Sequence, residues 1–293
     1  MIGVDWGTTS LRAWRLDQDG AVRDRRATAQ GIMAITDRQF EPVLRDIVGD
    51  WLADGERRVL LCGMIGSRQG WHEVAYLPCP AGIDEIAARL TPVAFAGAAV
   101  RIVPGLATID ENGVADVMRG EETQILGAAA CDGTARVICL PGTHSKWAVV
   151  SAGRIERFST YMTGEMFAAL AEHTILARTI VAGPIDPVAF TAGVARATEA
   201  GGLLHHAFGV RTQVLRQGMT EAAAYAYLSG LMIGHELNAA LDGVATPVAV
   251  VGASTLAALY VTAIASRGGV AIAVDEAASA AGLARLGERA SWT

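Results

Sequence analysis

The chain is poor in charge, in aromatic rings and in cysteine. Of its 293 residues 18% are charged, 6% are aromatic and four are cysteine. With 52% hydrophobic residues, so little charge excludes a disordered chain, and the length suffices for two domains with cores of their own. The net charge of −6 argues against a broad basic face for nucleic acid or an acidic membrane. An anionic ligand would need a local cluster of arginine or lysine. Cys62, Cys79, Cys131 and Cys139 form no C-x-x-C, and no histidine pair stands at zinc spacing, which argues against a thiolate metal site. Scattered inside apolar runs, they read as buried, reduced thiols of a cytoplasmic protein. The first residues enter a strand that carries Asp5, leaving no signal-peptide core.

Several fingerprints are missing as well. None of the 33 glycines stands in G-x-G, and there is no G-x-x-x-x-G-K-[ST], no G-x-S-x-G and no H-E-x-x-H. Rossmann, P-loop, serine-hydrolase and zincin chemistry are therefore not expected. Residues 243–266 carry no charge and approach membrane-spanning length. Pro247 and the Gly252-Ala253-Ser254 break divide them, and strand, turn and helix fit better than one span.

What is present is a repeat. Gly7-Thr8-Thr9-Ser10-Leu11-Arg12-Ala13-Trp14 recurs as Gly142-Thr143-His144-Ser145-Lys146-Trp147-Ala148-Val149, an offset of 142 − 7 = 135 residues. Each copy follows a short apolar run and leads into two alternating segments joined by a turn, the first at Asp19-Gly20. Strand, Gly-Thr turn, strand, turn, strand is one supersecondary unit, present twice. Backbone N–H groups and small hydroxyls in a tight glycine turn suit phosphate oxygens. The repeat reads as a nucleotide clamp.

Between and after the copies, periodicity predicts helices at 40–53, 83–90, 120–130, 165–176, 187–197, 221–240, 256–266 and 276–286. Buried strands are predicted at 58–62, 100–103, 248–251 and 270–274. Glycines 230 and 234 would allow close helix approach. Strands alternating with helices after hairpin openings indicate α/β layers with mixed sheets.

Val4-Asp5-Trp6-Gly7-Thr8-Thr9-Ser10-Leu11-Arg12 resembles the first phosphate-binding hairpin of the actin–hexokinase–Hsp70 superfamily. Leu140-Pro141-Gly142-Thr143-His144-Ser145-Lys146-Trp147 resembles the second, and Val250-Val251-Gly252-Ala253-Ser254 its adenosine-side turn. Within that superfamily the chain resembles the 2-dehydro-3-deoxygalactonokinases over nearly its whole length. Asp116-Val117-Met118-Arg119-Gly120-Glu121-Glu122-Thr123-Gln124, Pro141 to Trp147, Met162-Thr163-Gly164-Glu165 and Ser229-Gly230-Leu231-Met232-Ile233-Gly234 carry the likeness. The resemblance implies two ribonuclease-H-like (actin-like ATPase) α/β domains with a cleft between them, residues 1–130 completed by a helix in 276–293, and residues 131–275. It implies phosphorylation of the 6-hydroxyl of 2-dehydro-3-deoxy-D-galactonate with ATP and magnesium. Another sugar kinase of the same fold, or an actin-like ATPase module, is the alternative. Neither the preferred epimer nor the choice between monomer and homodimer is legible.

The roles follow from what phosphoryl transfer needs. Asp5 would hold the magnesium hydration shell. Gly7, Thr8, Thr9 and Ser10 would donate to the phosphates from one turn, and Gly142, Thr143, His144 and Ser145 from the other. Arg12 and Lys146, just after the turns, would point either to phosphate or to solvent. The resemblance places an acid at a helix start between the hairpins as the base, here Glu121 first and Glu122 second. Ser67, Arg68 and Trp71 offer a carboxylate site, and Arg119 either pairs with the neighbouring acids or grips the substrate. Thr163 and Glu165 either bind sugar hydroxyls or cap a helix.

Overall fold

The computed structural model describes residues 1–131, 137–241, 247–275 and 277–292; the side chains of Ala130, Cys131 and Ser254 lie outside the described set, as does residue 276 at the expected start of the last helix. The first stretch runs β1 (Ile2–Trp6), β2 (Leu11–Leu16), β3 (Val22–Thr28), α1 (Phe40–Ala53), β4 (Arg58–Cys62), β5 (Leu77–Pro78), β6 (Ala81–Gly82), α2 (Ile83–Ala87), β7 (Thr91–Val93), β8 (Ala99–Ile102), β9 (Leu106–Ile109), β10 (Ala115–Met118) and α3 (Glu121–Cys131). The rest runs β11 (Val137–Leu140), β12 (Ser145–Ser151), β13 (Arg154–Tyr161), α4 (Thr163–His173), α5 (Pro187–Arg196), α6 (Gly202–Gln217), α7 (Glu221–Ala240), β14 (Val248–Val251), α8 (Ser254–Ser266), β15 (Ala271–Val274) and α9 (Ala278–Arg289).

One six-stranded sheet has the order β3-β2-β1-β4-β8-β7 and another β15-β14-β11-β12-β13-β6. Read from β13, the second begins β13-β12-β11-β14-β15, the same order as β3-β2-β1-β4-β8. In both, the central strand runs parallel to its next neighbour: Val4 faces Leu61 and Ile138 faces Ala249. The fold is a mixed α/β duplication of ribonuclease-H-like type. The sequence repeat therefore extends well beyond its eight legible residues. A third sheet, β10-β9-β5, is made of strands only two to four residues long, too short for any periodicity to reveal.

The chain divides into two compact units, one of Met1–Thr134, Ala148–Phe158 and Glu276–Thr293, the other of Ala135–Trp147 and Ser159–Asp275. The core of the first forms because β1 is apolar on both faces and α1 buries Phe40, Leu44, Ile47, Val48 and Trp51 on one stripe. In the second, α7 is buried over most of its circumference against α5 and α8. Thr220 caps its first turn by accepting from Ala223 N–H at 3.1 Å. Among the described residues no helix is long and apolar enough to cross a membrane, and 247–266 resolves into β14, a turn and α8.

Two of the longer helices differ from expectation. The helix expected at 165–176 is α4, which starts two residues earlier and stops at His173. Thr174 then takes an extended conformation, and its hydroxyl accepts from Leu176 N–H at 3.1 Å to cap a separate 3-10 turn. Helix α6 has no counterpart in the sequence reading, because only His206, Ala207 and Val210 of its sixteen residues are buried.

The Gly-Thr turns are held from behind by a second glycine. Gly31 packs on the carbonyls of Thr8 and Thr9, and Ile32 and Met33 N–H donate to Gly7 and Thr8 carbonyls at 3.0 and 3.1 Å. Gly164 repeats this on the other turn. A Cβ there would stand 2.5 Å from the Gly142 carbonyl oxygen, and Glu165 N–H donates to Thr143 at 3.0 Å. The two buttresses are 164 − 31 = 133 residues apart, close to the offset of the turns.

Glycines inside helices are predicted to act oppositely according to what surrounds them. Gly230 of α7 sits directly on the Phe190 carbonyl of α5, whereas nothing lies within 4 Å of a Cβ on Gly209 of α6. Gly230→Ala should cost about 1–3 kcal/mol by overpacking. Gly209→Ala should gain about 0.5–1 kcal/mol through the smaller entropy of the unfolded chain. Thermal unfolding of both variants checks the opposite signs.

Candidate functional site

In the first unit, Asp5 stands at the end of β1, buried, beside the Gly7 turn. Gly7 N–H donates to the Ser10 carbonyl at 2.9 Å, closing the turn, and Thr8, Thr9 and Ser10 are exposed above it. Arg12 does not run out to solvent: its Nη2 donates to Asp5 Oδ2 at 2.7 Å, and Ser279 of α9 donates to the same oxygen at 3.3 Å. The other carboxylate oxygen lies against Gly63, whose φ of 90° turns the chain away after β4. Gly120, also at positive φ, touches Gly63, so the start of α3 is brought to the end of β1.

That contact separates the two acids of α3. Glu121 is half-buried, and its Oε2 accepts from the Arg119 backbone N–H at 3.0 Å. Glu122 turns into the core and is fully buried. It accepts from Gly120 N–H at 2.6 Å and from Thr123 Oγ1 at 2.9 Å. Burial pushes its carboxyl up to about 8, reinforced by the charge of Glu121 and opposed by the Thr123 and Gly120 bonds. A carboxyl enclosed in this way holds the entry to α3 in shape. The expectation that Glu122 is second choice as base is corrected, since both its oxygens are already engaged in the core, one by Gly120 N–H and the other by Thr123 Oγ1.

Around the loop after β4, Arg68 is exposed, and Arg38 donates to the carbonyls of Arg68, Gly70 and Trp71. Trp71 packs its ring edge against Phe95 at 6.3 Å, so it belongs to the core margin and does not stand as a free flat wall. Ser67 and Arg119 are buried, and Arg119 does not pair with the neighbouring acids: its Nη2 donates to the Val74 carbonyl at 2.6 Å.

In the second unit, Gly142 is half-buried and Thr143 and His144 are exposed, while Ser145 and Lys146 are buried. The nucleotide-donor role expected of Ser145 is corrected by a buried network that sequence reasoning missed. Glu236 of α7, 4% exposed, accepts from Trp147 Nε1 at 2.6 Å and from Tyr260 Oη at 2.8 Å. Tyr260 spends its only proton on the carboxylate, so the Ser145 hydroxyl, 2.8 Å away, must donate inward. The Thr163 hydroxyl also reaches Glu236, which is raised by burial and lowered again by these donors. Thr163 is thus a member of the network and more than a simple cap. The signal was present: Glu236 is an acid inside an otherwise apolar run of α7. Lys146 is buried and so does not run out to solvent; its Nζ reaches back to the His144 carbonyl of the same turn at 3.4 Å. His144 and Glu165 pair at 2.5 Å on the exposed rim of the turn.

Beside this network lies a cavity of about 460 Å³, lined mostly by apolar groups. Its wall includes Gly142, Thr163 and Gly164 together with Ala253, Tyr260 and Phe167. Gly252, at the end of β14, makes its turn at a φ of 155°. The phosphate-side and adenosine-side turns expected from the sequence thus open on one space; the third member of the latter, Ser254, has its side chain outside the described residues. Among the described residues no group of three or more His, Cys, Asp or Glu could hold a metal by itself.

Residues 5–286 match the model of the 2-keto-3-deoxy-galactonokinase family. The chain belongs to that family. It is 43% identical over 297 residues to a probable 2-dehydro-3-deoxygalactonokinase of Rhizobium meliloti, covering 99% of this chain and 96% of the relative. It is 34% identical over 269 residues to the 2-dehydro-3-deoxygalactonokinase of Escherichia coli K12, covering 91% and 90%. A crystal structure from Sinorhizobium meliloti, described under the same activity, superposes with a TM-score of 0.91 at 42% identity over 97% of each chain.

Two outcomes test the buried acids. The pKa of Glu122 lies above its ordinary 4.5, so the folded state binds more protons between that value and about 8. Its contribution to stability is full below the ordinary value and lost as pH rises through about 8. Glu122→Gln should flatten this decline in thermal unfolding followed from about pH 5 to about pH 9; an unchanged slope would refute the assignment. Tyr260→Phe should cost roughly 1–3 kcal/mol, because it leaves Glu236 and Ser145 each short of a buried partner.

Proposed function

We propose that the chain transfers the γ-phosphoryl group of ATP to the 6-hydroxyl of 2-dehydro-3-deoxy-D-galactonate, in keeping with relatives named as 2-dehydro-3-deoxygalactonokinases. The observation that carries this reading is the buttressed Gly-Thr turn, present twice, one copy beside Asp5 and the other on a mostly apolar cavity large enough for a nucleoside. Gly7, Thr8, Thr9 and Ser10, together with Gly142, Thr143 and His144, supply the phosphate donors. The cavity between Gly142 and Ala253 takes the adenosine, with Gly252 and Ser254 completing its turn. Ser67 and Arg119 take up the substrate's acid end, and Glu165 reaches its hydroxyls through the rim of the second turn.

Glu121 is the base. It lies at the start of α3, half-buried, with one oxygen held by the Arg119 N–H, which orients the carboxylate. A single acid at the strand end suits magnesium, which keeps most of its waters and is held by one or two carboxylates plus the nucleotide. Asp5 would hold it, and when bound it neutralises charge on the transferred phosphoryl group. Arg12 orients Asp5 by its 2.7 Å bond. Buried free thiols at Cys62 and Cys139 fit a reducing compartment, the cytoplasm.

A coupled ADP-release assay tests the reading. The protein should release ADP rapidly with ATP, magnesium and 2-dehydro-3-deoxy-D-galactonate, and slowly with glucose or no acceptor. Glu121→Gln should lower kcat by about 10²–10⁴-fold with the KM for ATP little changed. Equal ADP release with and without the acid would sink the proposal.

A further inference from the structure

Arg119 is 8% exposed, yet its guanidinium is only partly satisfied. Nη2 donates to the Val74 carbonyl, and Cζ stands 4.4 Å from the centre of the Tyr76 ring. Nε and Nη1 are buried without a hydrogen-bond partner, and no described acid forms an ion pair with the guanidinium. The Ser67 hydroxyl is likewise buried and unpartnered. These orphans share one place: Nη1 lies so close over Gly66 that a Cβ there would stand 2.8 Å from it, and Ser67 is the next residue.

A desolvated guanidinium with unmet N–H groups and no counter-charge is strongly unfavourable, so such an arrangement is stable only where the rest of the structure imposes it. The carbonyl bond and the stacked ring impose it here. What would relieve the cost is a small anion that brings acceptors to Nε, Nη1 and Ser67 Oγ. We infer that Arg119 and Ser67 form the socket for the carboxylate of the sugar-acid substrate and thereby select acids over neutral sugars. The inference deepens the kinase reading and rests on it. Carboxylate is favoured over phosphate because the Gly-Thr turns already supply the phosphate donors. The Arg119 backbone also holds the proposed base: its N–H donates to Glu121 Oε2, which couples the substrate's acid end to the base acting on its far end. Arg68, the other candidate, is exposed with its carbonyl tied to Arg38, and is not part of the socket.

The test compares the acid with its C1 amide, which keeps every hydroxyl and loses the charge. Wild type should prefer the acid in kcat/KM by about 10²-fold, the scale of a charged hydrogen-bonded contact left unmet. Arg119→Met should abolish that preference while leaving the KM for ATP within about twofold. Ser67→Ala removes only a hydroxyl and keeps the arginine. It should raise the KM for the acid several-fold and leave that for the amide unchanged. A folded Arg119→Met or Ser67→Ala protein that keeps the wild-type acid-to-amide ratio would overturn the socket; should Arg119→Met fail to fold, Ser67→Ala decides alone. A wild-type protein that phosphorylates neither compound would instead overturn the kinase reading itself.

Discussion

A carbonyl oxygen against a bare Cα is the contact on which the rest of this structure depends. At Gly31 and at Gly164 the backbone lies so close to a Gly-Thr turn that no side chain fits between them. That closeness lets the following N–H groups bond the turn's carbonyls, which leaves the hydroxyls of Thr8, Thr9 and Thr143 facing outward. A flexible turn would lose conformational entropy on gripping a phosphate; a turn held from behind has lost it on folding. The same device in both halves indicates that the duplicated element is the buttressed turn, and the eight-residue motif is its visible part.

Behind each turn the protein keeps a buried carboxyl, and the two are used differently. Glu122 is enclosed with few donors and another acid nearby, so it is held near neutrality and shapes the entry to α3. Glu236 is enclosed with donors from Trp147, Tyr260, Ser145 and Thr163, which compensate the charge and tie α7, α8, α4 and β12 together beneath the second turn. The consequence is a division of labour within each motif. Some of its hydroxyl residues are exposed, while others, Ser145 among them, are committed inward as supports. Residues adjacent in sequence therefore do unlike things.

Much of the fold was legible because it rests on patterns of period 2 and 3.6. The strands at Ile2–Trp6, Arg58–Cys62, Val137–Leu140 and Val248–Val251, and helices α1 and α7, carry continuous or striped apolar residues and stand where periodicity puts them. Helix α6 escaped because its buried face is narrow, and β5, β6, β9 and β10 escaped because two to four residues hold no period. Of the candidate site, the turns and Asp5 were legible as motifs. The roles of Arg12, Lys146, Ser145, Thr163 and the Glu121–Glu122 pair were not, since each depends on a partner between 2 and more than 70 residues away in sequence.

By itself the amino-acid order determined that this is a duplicated α/β chain of small apolar residues, with two glycine–threonine turns suited to anions and with the signature of a sugar-acid kinase family. Those properties are local: backbone propensity, apolar spacing and short motifs need no distant partner to express them. Tertiary structure alone decided which acid of an adjacent pair is enclosed, which hydroxyl faces outward, and that Arg119 is buried with donors to spare. Burial and hydrogen-bond direction are properties of packing, and packing brings Asp5 to Ser279, Arg119 to Val74 and Trp147 to Glu236 across spans no local rule can read.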